Sequence, residues 1–589
     1  MTDDLFRDSI KGGKGPSLVG RRTLLRSMAF GVAGAAGSSL VLPTTATAET
    51  KQNQATSAEQ GCSPILPGWR SGFDGQRRAD LGDGRYLNPI VSGDRPDPTV
   101  LKDGDDYYMT FSSFDYYPAV VIWHSQDLVN WTPVGPALHK WIGSIWAMDL
   151  IKHQGRYYVY IPAVNVPISP EGKVMLAPGQ SPFSLHVIHA ETIRGPWSDP
   201  IDLKISGFID PGHAVGEDGK RYLFLNDGHR VRLADDGLAT DGEIEKVYPG
   251  WKYPSDWVVE AFALEGPKMI RKGSWFYMIS AEGGTAGPPT SHMVIAARSR
   301  SINGPWENCP HNPIVHTERA SERWWSRGHA TPVQGPTGDW WLVYHGYENG
   351  YRTLGRQTLL EPMDWTEDGW PRAKGGDLSG PLRNPSNALP NLVAGQSLSE
   401  DFSIDTLGTR LAFFSPNPGY LERISYGPEG LVVQGHGTTA ADSSPLAFIA
   451  GDHSYDIRVE VELEKEAQAG LLVFYSPQWF CGLGYDVKRG YSYQKGAASP
   501  GDEPQTPIGR RYHLKLVNND NVVSFYHSTD GEVWSLDFSA EVSGYNHNVI
   551  GGFLSLRPAL YVSGDGNATF RNLKYAGANN MLSEVRPRS

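Results

Sequence analysis

The sequence predicts an all-β protein: a five-bladed β-propeller followed by a β-sandwich. Three observations carry that expectation. A unit made of a polar residue, a short strand, a polar turn and an aromatic strand occurs five times, roughly 50–65 residues apart, which is propeller-blade spacing with loop insertions. Stretches with the 3.6-residue period of a helix are nearly absent from that region. Beyond the last unit, apolar and polar residues alternate in short runs separated by turns, as in a half-buried sheet.

The first unit, DRPDPTVLKDGDDYYMTF, holds Asp97 between two prolines. The second, MDLIKHQGRYYVYI, carries Asp149, and the third, IDPGHAVGEDGKRYLFL, carries Asp210. The fourth, LEGPKMIRKGSWFYMI, carries Glu265, and the fifth, RGHATPVQGPTGDWWLVY, carries His329. The first strand of each blade lines the central channel, so a polar residue entering that strand in every blade points toward one axis. All five are therefore expected at one mouth of the channel. Carboxylates crowded in a cleft shift one another's ionisation, which acid–base catalysis requires. Outer segments repeat as well: SQDLVNWTPVG, ETIRGPWSDPI and SINGPWENCPHNPI share a turn, a Trp and a polar step, favouring four-stranded blades.

The flanks divide the chain further. Residues 1–48 read as an export signal of twin-arginine type: a polar leader to Arg21-Arg22, a weakly apolar run from Met28 to Leu42, then Ala46-Thr47-Ala48. The mature protein is accordingly expected to be periplasmic or secreted. Residues 49–86 are a polar, Gly- and Pro-rich lead-in. The propeller occupies 87–385, a loop-like linker follows, and the sandwich occupies 398–576, with strands such as YDIRVEVELE and AGLLVFYS.

Composition excludes several classes. A net charge of −12 argues against nucleic-acid or anionic-membrane partners. Nothing past the leader approaches a membrane span. The three cysteines, Cys62, Cys309 and Cys481, are far apart and form neither a zinc motif nor a disulfide framework. No phosphate loop or H-E-x-x-H motif is present, so redox and phosphoryl chemistry have no support.

The motifs NPIVSGDRPDP, WAMDL, FIDP, LEGPK, RGHATPV and GRQTLLEPMDW resemble glycoside hydrolase family 43, and the later sandwich is similar to the concanavalin-like domain of that family's β-xylosidases. The resemblance implies an inverting mechanism. Asp97 matches the general base, Glu265 the general acid, and Asp149 a third carboxylate that orients the acid and raises its pKa. Inversion needs the two working carboxyls far enough apart, about 6.5–9.5 Å, for a water on the far side of the sugar. One residue departs from the pattern: Met148 stands where the family has Pro before the second carboxylate. Asp210 lies in an Asp-Pro pair that serves a turn and a catalytic site equally well.

Substrate contacts are assigned by the same resemblance. Arg356 matches an arginine that hydrogen-bonds the terminal sugar, and His329 a histidine that holds a central cation or a water. Trp146 and Phe114 face an open choice between stacking on sugar and filling a blade. No cofactor is required; a calcium ion near His329 is implied as structure, with no catalytic metal. The expected activity is release of terminal β-D-xylose, α-L-arabinofuranose or both from plant cell-wall polysaccharide. Two alternatives remain at this stage: a non-catalytic carbohydrate-binding propeller, and the retaining fructan-cleaving hydrolases. The latter use a W-x-N-D-P-N motif, whereas Asp97 lies in R-P-D-P. Substrate identity, linkage and oligomeric state are not encoded in any motif of the chain.

Overall fold

The computed structural model describes residues 68–165, 180–386, 394–498 and 509–577. Residues 1–48, expected from sequence to be an export signal, and Cys62 lie outside them. Five antiparallel sheets follow one another between Thr99 and Ala373, each at least four strands wide. Blade 1 is built from Thr99–Asp103, Asp106–Thr110, Ala119–Ser125 and Thr132–Leu138. Blade 2 begins with Asp149–His153, blade 3 with Gly212–Val215, blade 4 with Glu265–Lys272 and blade 5 with Trp324–Gln334. The turns explain why the hairpins form where they do. In blade 2 the two residues between paired strands, Gln154 and Gly155, take φ of 49° and 84°, as a tight primed turn demands.

The ring closes through the lead-in. Arg85–Tyr86 pairs with Leu382–Arg383, joining the chain before blade 1 to the chain after blade 5. Asn88 then substitutes for a strand: its side-chain amide donates to the Leu360 carbonyl and its oxygen accepts the Leu360 N–H, both at 2.9 Å. These bonds satisfy an edge of blade 5 that would otherwise be open.

The sandwich is an eight-stranded sheet facing a seven-stranded one. Ser454–Glu464 shows how the pattern builds it: Tyr455, Ile457, Val459, Val461 and Leu463 alternate inward, each at most 3 % exposed. The two halves are not independent. Tyr116–Tyr117, from the second loop of blade 1, forms the edge strand of the eight-stranded sheet by pairing with Phe413 and Phe414. One continuous apolar core runs from Phe114, Ile145 and Met148 into Phe402, Leu471 and Leu560. Arg557 of the sandwich is ion-paired at 3.0 Å with Asp94, both buried, and lies over the Tyr116 ring. Asp94 also accepts the Arg356 backbone N–H, so the sandwich is tied to the strand that enters the channel mouth. Cys309 and Cys481 are buried free thiols, one in each half. Among the described residues, no helix is long and apolar enough to cross a membrane.

Candidate active site

The chain enters the first strand of blades 1 and 3 through the same unusual corner. Asp97 and Asp210 each stand two residues ahead of that strand, and each takes a φ of 56°, in the left-handed region. His329 lies inside the first strand of blade 5, at a break in its register, and it too takes a left-handed φ, 61°. Such backbone costs on the order of 1–3 kcal/mol and persists where the surroundings enforce it. A following proline in Asp97-Pro98 and Asp210-Pro211 marks both aspartates.

These corners open on a pocket at the channel mouth. Asp97, Asp210, Glu265, His329 and Arg356 form its polar side. Phe114, Trp146, Ala147 and Ile209 supply apolar wall, and Phe553 comes in from the sandwich. Phe553 lies parallel to Phe114 at 6.2 Å and edge-on to Trp146 at 5.3 Å. The Arg356 guanidinium sits 5.5 Å from the Phe114 ring centre and 5.4 Å from that of Phe553. Phe114 and Trp146 thus wall the pocket as well as filling a blade seam. Phe553 is held in place by His547, whose Nδ1 accepts the Phe553 N–H at 2.8 Å while the two rings stack.

Asp97 is surrounded by donors. Arg356 Nη1 donates to Oδ1 at 2.9 Å, Ser112 Oγ donates to Oδ2 at 2.6 Å, and His345 Nδ1 lies 3.0 Å from Oδ1. Burial alone would raise its pKa, but the charge of Arg356 and the imidazoles of His329 and His345 hold it well below the usual carboxylate range. Asp97 is an ionised carboxylate. Glu265 is its opposite. Its side chain is 14 % exposed, facing the pocket, and burial together with the negative charges of Asp210 and Asp97 pushes its pKa well up. Asp210 accepts the Gly266 N–H at 3.2 Å, and burial and the charge of Asp97 raise it to about 8. Glu265 and Asp210 titrate as a pair that retains a proton around neutrality.

Asp149 is not in this pocket, which corrects the expectation from sequence. Asp149 is the first residue of the inner strand of blade 2, in register with Thr99 of blade 1 and two residues deeper than Asp97. Ala147 occupies the level of Asp97 and lines the pocket. Asp149 instead pairs with Lys268 Nζ at 2.7 Å and accepts from Thr99 Oγ1 at 3.2 Å and the His213 N–H at 2.7 Å. It joins blades 1 to 4 inside the channel, and the carboxylate acting on Glu265 is Asp210.

His329 is buried, with Nδ1 3.5 Å from Asp97 Oδ1, and burial lowers its pKa to about 3, leaving it neutral. Its ring needs a glycine beside it: a Cβ on Gly266 would lie 2.6 Å from Nε2. The calcium implied by sequence resemblance does not fit the donors here. Among the described residues, Glu265, His292 and His329 bring ligand atoms within 4.8 Å of one another, two imidazole nitrogens and one carboxylate oxygen. Calcium takes six to eight oxygens. The chemistry below is carried by carboxylates.

Four participants escaped the sequence. His345, inside a strand, and His292, one residue ahead of another, stack at 5.3 Å beside Asp97 and Glu265 respectively. Glu260 lines the pocket beside Glu265 from an irregular loop. Phe553 belongs to a different half of the chain. For none of them did a local motif signal the site.

A propeller whose mouth holds one ionised and one protonated carboxyl against an aromatic wall has the equipment of a glycoside hydrolase. Residues 86–371 match the family model of glycosyl hydrolases family 43, and the propeller of this chain belongs to that family. The protein is a glycoside hydrolase. It is 28 % identical over 523 residues to a non-reducing end α-L-arabinofuranosidase of Bacteroides ovatus, covering 83 % of this chain and 93 % of the relative. It is 32 % identical over 325 residues to a xylan 1,3-β-xylosidase of a Vibrio species, covering 48 % of this chain and 56 % of the relative. The crystal structure of a family 43 protein from Bacillus licheniformis superposes with a TM-score of 0.72 at 27 % identity, over 84 % of this chain and all (100 %) of that one.

Proposed function

We propose that this enzyme removes a terminal pentose, β-D-xylose, α-L-arabinofuranose or both, from plant cell-wall oligo- or polysaccharide with inversion at the anomeric carbon. One observation carries the reading: a single pocket brings together Asp97, whose charge Arg356 meets at 2.9 Å, and Glu265, whose burial beside Asp210 and Asp97 favours its protonated form. Asp97 takes a proton from the water that attacks the anomeric carbon. Glu265 donates its proton to the glycosidic oxygen as that bond breaks. Arg356 donates to the base and reaches the pocket, where its remaining N–H groups meet sugar hydroxyls. Asp210, in place of Asp149, keeps Glu265 protonated between turnovers. Phe114, Trp146 and Phe553 enclose the sugar's apolar face and restrict the site to one terminal residue.

The names of the relatives support xylose and arabinose equally, because both pentoses present the scissile bond to the same two carboxyls. Assay on an aryl β-D-xyloside beside an aryl α-L-arabinofuranoside tests the proposal. Hydrolysis of at least one, abolished by Asp97→Asn, supports it; hydrolysis of neither by the wild type refutes it. A wild type that binds the sugar without cleaving either substrate would favour a binding propeller. Export through the twin-arginine signal matches a polysaccharide substrate that cannot enter the cell, and we propose that location with it.

A further inference from the structure

A cavity lies in the seam between propeller and sandwich, and it shares no lining residue with the pocket at the channel mouth. We propose that this cavity binds a small monovalent anion of the chloride type, held by Arg95 and Trp123, which joins the two halves of the chain.

The lead-in reaches the cavity with Arg77, blade 1 with Trp123, the linker with Gln396, and the sandwich with Ile449 and Gly451. Arg95, two residues ahead of Asp97, lines it as well. The Arg95 backbone is pinned to blade 5: its N–H donates to the Arg356 carbonyl at 2.9 Å, and its carbonyl accepts Thr358 Oγ1 at 2.8 Å. Its guanidinium carbon lies 4.9 Å from the centre of the Trp123 ring. Both residues are buried, Arg95 at 7 % exposure and Trp123 at 4 %.

Charge balance fails at this one arginine. Among the described residues lining the cavity there are three arginines and neither an Asp nor a Glu. Arg77 is matched by Glu348 at 2.8 Å and Arg78 by Asp80 at 3.4 Å. Asp94, next to Arg95 in sequence, is taken by Arg557 at 3.0 Å. Arg95 itself donates from Nη1 to the Ser92 carbonyl, and its Nε has no partner. The buried Nε1 of Trp123 has none either. Burial, with the charge of Arg557 nearby, lowers the Arg95 pKa to about 9, so the guanidinium stays charged at neutral pH.

A buried charge without a counter-ion is costly, and so is a buried N–H without an acceptor. An anion answers both needs, because it brings a full negative charge and only accepts hydrogen bonds. One unmatched positive charge calls for one negative charge. A divalent sulfate or phosphate would leave an excess in a site closed off from water.

Thermal unfolding of the intact protein tests the site. Sodium chloride is titrated into a chloride-free buffer, and sodium isethionate, which has a bulky monovalent anion, holds the ionic strength constant. The wild-type Tm is expected to rise by about 2 °C and to saturate with chloride. Arg95→Met, similar in length and uncharged, should lose that rise. Trp123→Phe keeps a ring and removes the N–H, so it should need several-fold more chloride to reach half the rise. It also serves if Arg95→Met does not fold. A wild-type Tm that is the same in the two salts, or a wild-type chloride response in either variant, overturns the proposal. A larger rise with sodium sulfate at equal ionic strength overturns the monovalent assignment. Sugar hydrolysis plays no part in this readout, so the glycosidase reading stands or falls separately.

Discussion

Lys268 Nζ lies 2.7 Å from the Asp149 carboxylate, with both side chains 7 % exposed, so the charge of Asp149 is matched inside the propeller and kept from the substrate. The pair spans blades 2 and 4, and Thr99 of blade 1 joins it. Removing one partner strands the other in a low-dielectric channel. Asp149→Asn is therefore expected to lower unfolding stability by about 3–5 kcal/mol in urea titration. Asp149→Leu combined with Lys268→Met should recover much of that loss. If Asp149→Asn were as stable as wild type, the pair would not hold the blades.

In the proposed mechanism, Asp210 is the carboxylate that sets the acid. Activity needs Asp97 ionised and Glu265 protonated, so kcat/KM falls as pH drops through the depressed pKa of Asp97. It falls again as pH rises through the elevated pKa of the Glu265–Asp210 pair. Asp210→Asn removes a negative charge that raises Glu265, and the alkaline limb of the profile should move down by about one pH unit. Asp149→Asn should leave that limb in place. The reverse result would restore Asp149 to the role that its sequence position suggested.

Glu265→Gln and Asp97→Asn should fail in different ways. General acid–base groups contribute about 10²- to 10⁴-fold, so both variants are expected to lose at least a hundredfold on natural oligosaccharides. A dinitrophenyl glycoside needs little help in leaving, and Glu265→Gln should recover most of its rate on that substrate. Asp97→Asn should not, because the water still lacks its base. Equal recovery in the two variants would exchange or merge their roles.

The sandwich is part of the active site. Phe553→Ala opens the wall against Phe114 and Trp146 and is expected to lower kcat/KM about tenfold, mostly through KM. Deleting the chain from residue 398 should be worse. It leaves Tyr116–Tyr117 without its partner strand and Asp94 without Arg557, so an aggregating or inactive propeller is expected. A soluble truncated propeller with full activity would show that the wall is dispensable.

The blades were legible because their repeat is local: a turn, a strand and an aromatic pair recur within each unit. The placement of Asp97 and Glu265 at the channel mouth was legible for the same reason. Asp149 misled because a polar residue at a strand start satisfies the repeat while sitting two positions too deep, and side chains two residues apart on a strand share a face. The signal that would have separated them was present. Asp210-Pro211 repeats the dipeptide of Asp97-Pro98, and Met148 was the position that broke the pattern. Phe553, by contrast, reaches the pocket only through the docking of the sandwich on blade 1, and no stretch of sequence near it encodes that approach. The buried histidines His345, beside Asp97, and His292, beside Glu265, fall in the same class, since their stacking joins blades 4 and 5.

The central claim is that water, activated by Asp97, attacks the sugar on the side away from the oxygen protonated by Glu265. Proton NMR during the first minutes of hydrolysis of an aryl β-D-xyloside, or the arabinoside if preferred, reads this directly from the anomeric signal. The account predicts that the first sugar released carries the configuration opposite to the substrate and then equilibrates. First appearance of the same configuration as the substrate would contradict it.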